Sequence, residues 1–206
     1  MRIPARVLLV CCSALLSVAC TRVVGGVAVP AFPGTLSSVV DHILLDQPRM
    51  QAITGGGENL TIIPSMDGKS PVDLDELAEH APPECRFIYA ETATFGPDVE
   101  EFHKITFQYP PRGGLISEGA AAYRDAVTAR HAFDVLVSTV ENCADTSDGS
   151  LYIGDWHADD QSLKTRPGNC GRDYRLKSVV LVEVTFCGFP ESVSDIVITN
   201  IAANIP

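Results

Sequence analysis

Apolar and polar residues alternate from Phe102 to Tyr109. His103, Ile105, Phe107 and Tyr109 share one side, and Lys104, Thr106 and Gln108 the other. A period of two predicts a strand, stopped by Pro110-Pro111 and Gly113-Gly114. The period then changes. Ala122, Ala126, Ala129, Phe133, Leu136, Val137 and Val140 recur at three- and four-residue intervals, which predicts a long helix over Ser117–Glu141 with Ser117 as its cap. Tyr174–Cys187 reads as one long strand. Leu176, Val180, Val182, Val184 and Phe186 face one way, Val179 and Leu181 the other, so its middle is covered on both sides. Pro190–Asn204 closes the chain as a helix, with Pro190 at its start and Val193, Ile196, Val197 and Ile201 as its apolar stripe.

Weaker patterns fill the gaps. Asp46 can cap a helix over Gln47–Ile53, which Gly55-Gly56-Gly57 ends. Asn59–Pro64 predicts a strand and Asp67–Ser70 a turn. Asp73–Glu84 is acidic and broken by Pro82-Pro83, hence a loop with room for one helical turn; Arg86–Thr94 predicts a short helix. Leu151–Ala158 and Gln161–Thr165 predict two strands around the turn at Asp159-Asp160. Strands and helices do not alternate regularly and short turns join strand runs. The fold class expected is therefore α+β with a mainly antiparallel sheet.

The N-terminus has a different character. Arg2 and Arg6 precede an apolar run from Val7 to Leu16, and Leu16-Ser17-Val18-Ala19 leads to Cys20. A charged head, a short apolar run and a small residue before a cut describe a secretory signal peptide over residues 1–19. The run is too short to cross a bilayer core of about 30 Å. Cysteine directly after the cut resembles the lipobox of bacterial lipoproteins, with Ser17 standing where leucine is most often found. The expectation is an acylated Cys20, palmitate among its chains, on the extracytoplasmic face of the cell membrane. The competing reading is cleavage after Gly26-Val27-Ala28. Residues 20–35, interrupted by Gly25, Gly26, Pro30, Pro33 and Gly34, read as a tether, and 36–206 as the folded domain.

Cysteine usage agrees with export. Of seven cysteines, Cys11 and Cys12 lie in the signal run and Cys20 is the lipidation site. The remaining four, Cys85, Cys143, Cys170 and Cys187, read as two disulfides. Three pairings are open; Cys85–Cys143 and Cys170–Cys187 join neighbours in sequence order. The second pair requires the chain to double back at Gly168–Gly171 or near Lys177-Ser178. The net charge of −11 becomes more negative once Arg2 and Arg6 leave. An acidic surface makes nucleic acid a poor partner.

Few residues suggest chemistry. Trp156-His157 lies among Asp155, Asp159 and Asp160, a group more in keeping with a solvated turn than a metal site. His103 reads as a core-edge residue and His131 as a surface one, neither with a partner visible in the sequence. Gly149-Ser150-Leu151 lacks the second glycine of a nucleophile elbow, and no lysine follows Gly55-Gly56-Gly57 to make a phosphate loop. Asp73, Asp75, Glu76, Glu79 and Glu84 lack calcium-loop spacing. No catalytic residue, metal or cofactor is expected.

A family resemblance exceeds any single motif. Leu44-Leu45-Asp46, Pro82-Pro83-Glu84-Cys85, Val140-Glu141-Asn142-Cys143, Asn169-Cys170-Gly171-Arg172 and Thr185-Phe186-Cys187 follow in a distinctive order. Together they resemble the PknH-like extracellular domain, the sensor domain of a mycobacterial receptor-type serine/threonine kinase that also occurs in standalone actinobacterial lipoproteins. The resemblance covers about residues 40–205. It implies a twisted antiparallel sheet with flanking helices, structural pairing of the four cysteines, and a cleft for an unidentified small-molecule, cell-wall or protein ligand. It supplies no ligand-binding residue, and with no kinase domain expected, phosphorylation is not implied. Two other readings stand beside a non-catalytic sensor: an extracytoplasmic hydrolase using His103 or His157, and a lipid carrier with an apolar cavity.

Overall fold

The computed structural model describes residues 37–206. The segments expected to be a signal peptide and a tether, with Cys20 between them, lie outside the described residues. Among the described residues, seven α-helices and seven strands follow in the order α1 (Ser37–Ile43), α2 (Gln47–Thr54), β1 (Thr61–Ile62), α3 (Asp75–Ala78), α4 (Glu91–Phe95), β2 (Glu101–Tyr109), β3 (Gly114–Ala122), α5 (Ala126–Ala144), α6 (Gly149–Tyr152), β4 (Asp155–Ala158), β5 (Ser162–Arg166), β6 (Cys170–Lys177), β7 (Val180–Cys187) and α7 (Glu191–Asn204). The strands form one sheet in the order β1-β2-β3-β7-β6-β5-β4, with antiparallel neighbours throughout. Helices cover both faces, so the domain is α+β with a mainly antiparallel sheet, as the element order predicts.

Two long elements differ from expectation, each for a physical reason. The helix begins at Ala126, where Asp125 accepts from Thr128 N–H as N-cap; Gly114–Ala122 is instead the interior strand β3, between β2 and β7. Ala120, Ala121 and Ala122 are fully buried there. Alanine favours a helix locally, but small side chains at the sheet centre let helices pack closely on both faces, and that tertiary demand wins. The second is Tyr174–Cys187, which is the last part of a hairpin: β6 and β7 meet at a two-residue turn, Ser178-Val179, with Ser178 at φ 55°. No Asn-Gly or Gly announces this turn. It pairs Leu176 with Leu181, so Leu176 shares a face with Leu181 and not with Val180. Smaller corrections follow the same theme. Asn59–Pro64 yields only the strand Thr61–Ile62. Arg86–Thr94 divides into a 3-10 helix at Pro83–Tyr89 and α4. Of Leu151–Ala158, the first two residues belong to α6 and only Asp155–Ala158 is a strand.

The two faces have distinct cores. One carries α1, α2 and α7, which bury Val40, Leu45, Met50, Val197, Ile198 and Ile201. The other carries α5, whose Ala129, Phe133, Leu136 and Val140 pack on Ala121, Leu163, Tyr174 and Leu181. Burying such side chains contributes about 1.5–3 kcal/mol each. Both disulfides close loops at the ends of these layers. Cys85–Cys143 joins the Pro83–Tyr89 turn to the last turn of α5, and Cys170–Cys187 links opposite residues of β6 and β7.

Candidate functional site

Helix α5 covers only one end of its sheet face. Over the other end, the segment between β1 and β2 arches across the strands and leaves a cleft of about 300 Å³. Its floor is two rows of side chains fixed by strand register. One row reads Thr106, Ser117, Thr185 and Arg172 across β2, β3, β7 and β6. The next reads Lys104, Gly119, Glu183 and Tyr174 across the same four strands. Gly119 has no side chain, and the Lys104 stem lies over the gap: a Cβ on Gly119 would sit 3.7 Å from Lys104 Cγ. Lys104 thereby reaches towards Glu183, on the far side of β3.

The floor is charged but internally compensated. Lys104 Nζ lies 2.6 Å from Glu91 Oε1 and 3.9 Å from Glu183 Oε2. Arg172 Nη1 stands 3.6 Å from Glu183 Oε1, which also accepts from Thr185 Oγ1 at 2.6 Å. Arg172 Nη2 donates to Ile88 O at 2.7 Å, tying floor to roof. Burial alone would push the Glu183 carboxyl up; Lys104 and Arg172 outweigh it and hold the group below the usual carboxylate range. Glu183 is therefore an anion at neutral pH, although only 2% exposed. Thr106 and Ser117 hydroxyls pair at 3.1 Å in the same floor.

The roof is apolar and clipped down. Met66, Val72, Leu74, Phe87 and Ile88 face the cleft beside Tyr89. Leu74 N–H donates to Tyr89 O at 2.7 Å, and Val72 N–H to Glu91 Oε2 at 2.8 Å. Asp73 accepts from Thr92 N–H and Oγ1 at 3.0 and 2.6 Å. The acidic loop is thus partly structural: Asp73 fastens the roof to α4, while Asp75, Glu76, Glu79 and Glu84 are exposed.

The histidines behave differently from one another. His131 and His157 are exposed. His103 is 8% exposed on the opposite sheet face, and it does have partners. Its Nδ1 lies 2.9 Å from Asp41 Oδ1, and its Nε2 lies 3.1 Å from Asp67 Oδ1. Lys69 also approaches Nδ1, at 3.1 Å. These partners come from α1 and from the turn after β1, so no local pattern could reveal them. With a carboxylate at each ring nitrogen, His103 has none left to activate a nucleophile. Trp156 packs against the α5 core, and Asp155, Asp159 and Asp160 are exposed. Among the described residues no three His, Cys, Asp or Glu side chains are grouped to hold a metal ion, and no helix is long and apolar enough to cross a membrane.

The domain is thus a disulfide-braced antiparallel sheet with helices on both faces and a cleft beside the main helix. The chain belongs to the family of PknH-like extracellular domains, whose profile matches residues 36–205. Its fold is similar to the crystal structure of the extracellular domain of PknH from Mycobacterium tuberculosis. The TM-score is 0.62 at 14% identity, over 82% of this chain and 95% of that one. No curated protein sequence matches. Sequence reasoning anticipated a cleft but none of the residues that line it. Lys104, Arg172 and Glu183 lie far apart in the chain, and only the register of β2, β7 and β6 brings them together.

Proposed function

We propose that this chain is a cell-envelope lipoprotein, held on the extracytoplasmic face of the membrane by lipid on Cys20. Its folded domain binds a ligand in the cleft without catalysing a reaction. The carrying observation is the cleft floor. Lys104, Arg172, Glu91 and Glu183 neutralise one another in a half-closed cavity, and burying such groups is expensive unless they serve a purpose. The arrangement recognises and does not react: the one buried histidine is held by carboxylates on the far face, away from the floor hydroxyls. The mixed lining of the cavity also disfavours an acyl-chain carrier, since a hydrocarbon would take the Lys104, Glu91 and Arg172 charges further out of water.

The test is a thermal-shift screen of the purified full chain against cell-wall fragments, lipids and peptides. A ligand at 100 times its dissociation constant stabilises by about 2.7 kcal/mol. Glu183→Gln and Ser117→Ala should reduce the shift of any hit. A hit insensitive to both, or turnover of a model ester or glycoside, would overturn the reading.

A further inference from the structure

We infer that the cleft takes an uncharged, polyhydroxylated ligand bearing an apolar group, of which a neutral glycoside is the simplest kind. The inference rests on the cleft being the binding site and adds the chemistry of what enters it. Charge decides first. Both cations of the floor already face carboxylates: Lys104 lies against Glu91 and Glu183, and Arg172 against Glu183. An incoming phosphate or carboxylate would approach an ionised, 2% exposed Glu183, with no unpaired cation to receive it. An ammonium group would meet Lys104 and Arg172. Desolvation penalises either charge.

Hydrogen-bonding capacity decides next. The Thr106–Ser117 pair uses one O–H internally; Thr106 is fully buried, and Ser117, 4% exposed, is the more accessible member of the pair beside the cleft. Thr185 gives its proton to Glu183 and keeps its oxygen as an acceptor. Lys104 has three N–H donors, of which Glu91 and Glu183 face two. Lys104 on β2, Ser117 on β3 and Thr185 on β7 thus set donor and acceptor groups on neighbouring strands spaced about 4.8 Å apart. Ligand hydroxyls, which both donate and accept, fit such a row; groups of a single polarity do not. The opposite wall, Val72, Leu74, Phe87 and Ile88, offers hydrocarbon to an apolar ring face or aglycone. A cavity near 300 Å³ suits a single sugar ring with a small substituent, at the lower end of ligand-pocket sizes of about 300–1,000 Å³.

The experiment titrates the isotope-labelled full chain in lipid nanodiscs and follows backbone amides. The neutral probes are phenyl β-D-glucopyranoside, phenyl β-D-galactopyranoside and phenyl α-D-mannopyranoside; the charged ones are phenyl β-D-glucuronide and phenyl phosphate. At least one neutral glycoside should shift amides of residues 104, 106, 117, 172 and 185. Each charged probe should bind at least about tenfold more weakly, and joint Thr106→Val and Ser117→Ala substitution should weaken the glycoside about tenfold at unchanged melting temperature. A charged probe that binds as tightly as the glycosides would sink the ligand class and leave the cleft reading standing. If no neutral glycoside shifts the floor, the class is wrong, and the broad thermal-shift screen then judges the cleft separately.

Discussion

Glu118 offers the sharpest test of the packing between the sheet and α1–α2. It projects from β3 to the face opposite the cleft and is fully buried. Both its oxygens accept from Leu45 N–H, at 3.0 and 3.1 Å. Burial pushes its carboxyl from 4.5 up to about 8; the Leu45 bond opposes this and the charge of Asp46 reinforces it. The native state therefore binds a proton that the unfolded chain releases near pH 4.5. Stability from this group is fully present below that value and is lost as pH rises towards 8. At 1.36 kcal/mol per unit, the loss between pH 4.5 and pH 7 is about 3 kcal/mol, a large share of a domain stability of about 5–15 kcal/mol. Glu118→Gln keeps a carbonyl oxygen for Leu45 and cannot ionise. Urea denaturation of both proteins at pH 4.5, 5.5, 6.5 and 7 isolates the effect, because every other titrating group cancels in the difference. The variant should gain about 3 kcal/mol on wild type across that range. A difference that stays flat would refute the argument, since it would mean that Glu118 titrates alike in both states.

Four further outcomes are expected, three from the structure and the last from the N-terminal sequence. Replacing Cys85 and Cys143 by serine should cost about 4 kcal/mol and replacing Cys170 and Cys187 about 3 kcal/mol, because the closed loops span 58 and 17 residues; denaturation of the two double variants gives the order. Gly154→Ala should destabilise by about 3 kcal/mol, as Gly154 sits at φ +57° and a Cβ would lie 2.0 Å from Arg166 O. Glu183→Gln should cost about 3 kcal/mol by leaving Arg172 and one side of Lys104 without their carboxylate, and adding Lys104→Met should recover part of the loss; a melting series over the single and double variants tests both. Cys20→Ala should move the protein from the membrane fraction to the soluble one, and mass spectrometry of the wild-type N-terminal peptide should show acylated Cys20; an N-terminus at Val29 would show cleavage after Ala28 instead.

What could be read from the chain, and what could not, follows from the range of the interactions involved. Phe102–Tyr109 declares itself because its larger apolar residues still alternate with polar ones, and Pro190–Asn204 because it packs one stripe against one layer, so a single period survives in each. Gly114–Ala122 conceals itself for the opposite reason. It lies between β2 and β7 with helices on both faces, and the space left there admits only Gly119 and three alanines along its second half. Those residues carry no alternation, and their local preference mimics the start of α5. The hairpin at Ser178-Val179 is hidden because its left-handed residue is a serine. Yet the pairing of Cys170 with Cys187 already required a reversal in that region, a constraint stronger than any turn propensity. The cleft lies beyond local patterns altogether. Thr106, Ser117, Thr185 and Arg172 become neighbours only through three strand registers. Displacing β7 against β3 by one residue would turn Glu183 and Thr185 to the opposite face and remove the anion that both cations need. The chemistry of the site is therefore a property of β-register, and the small residues that obscure β3 in the sequence are the same ones that let Lys104 reach across it to Glu183.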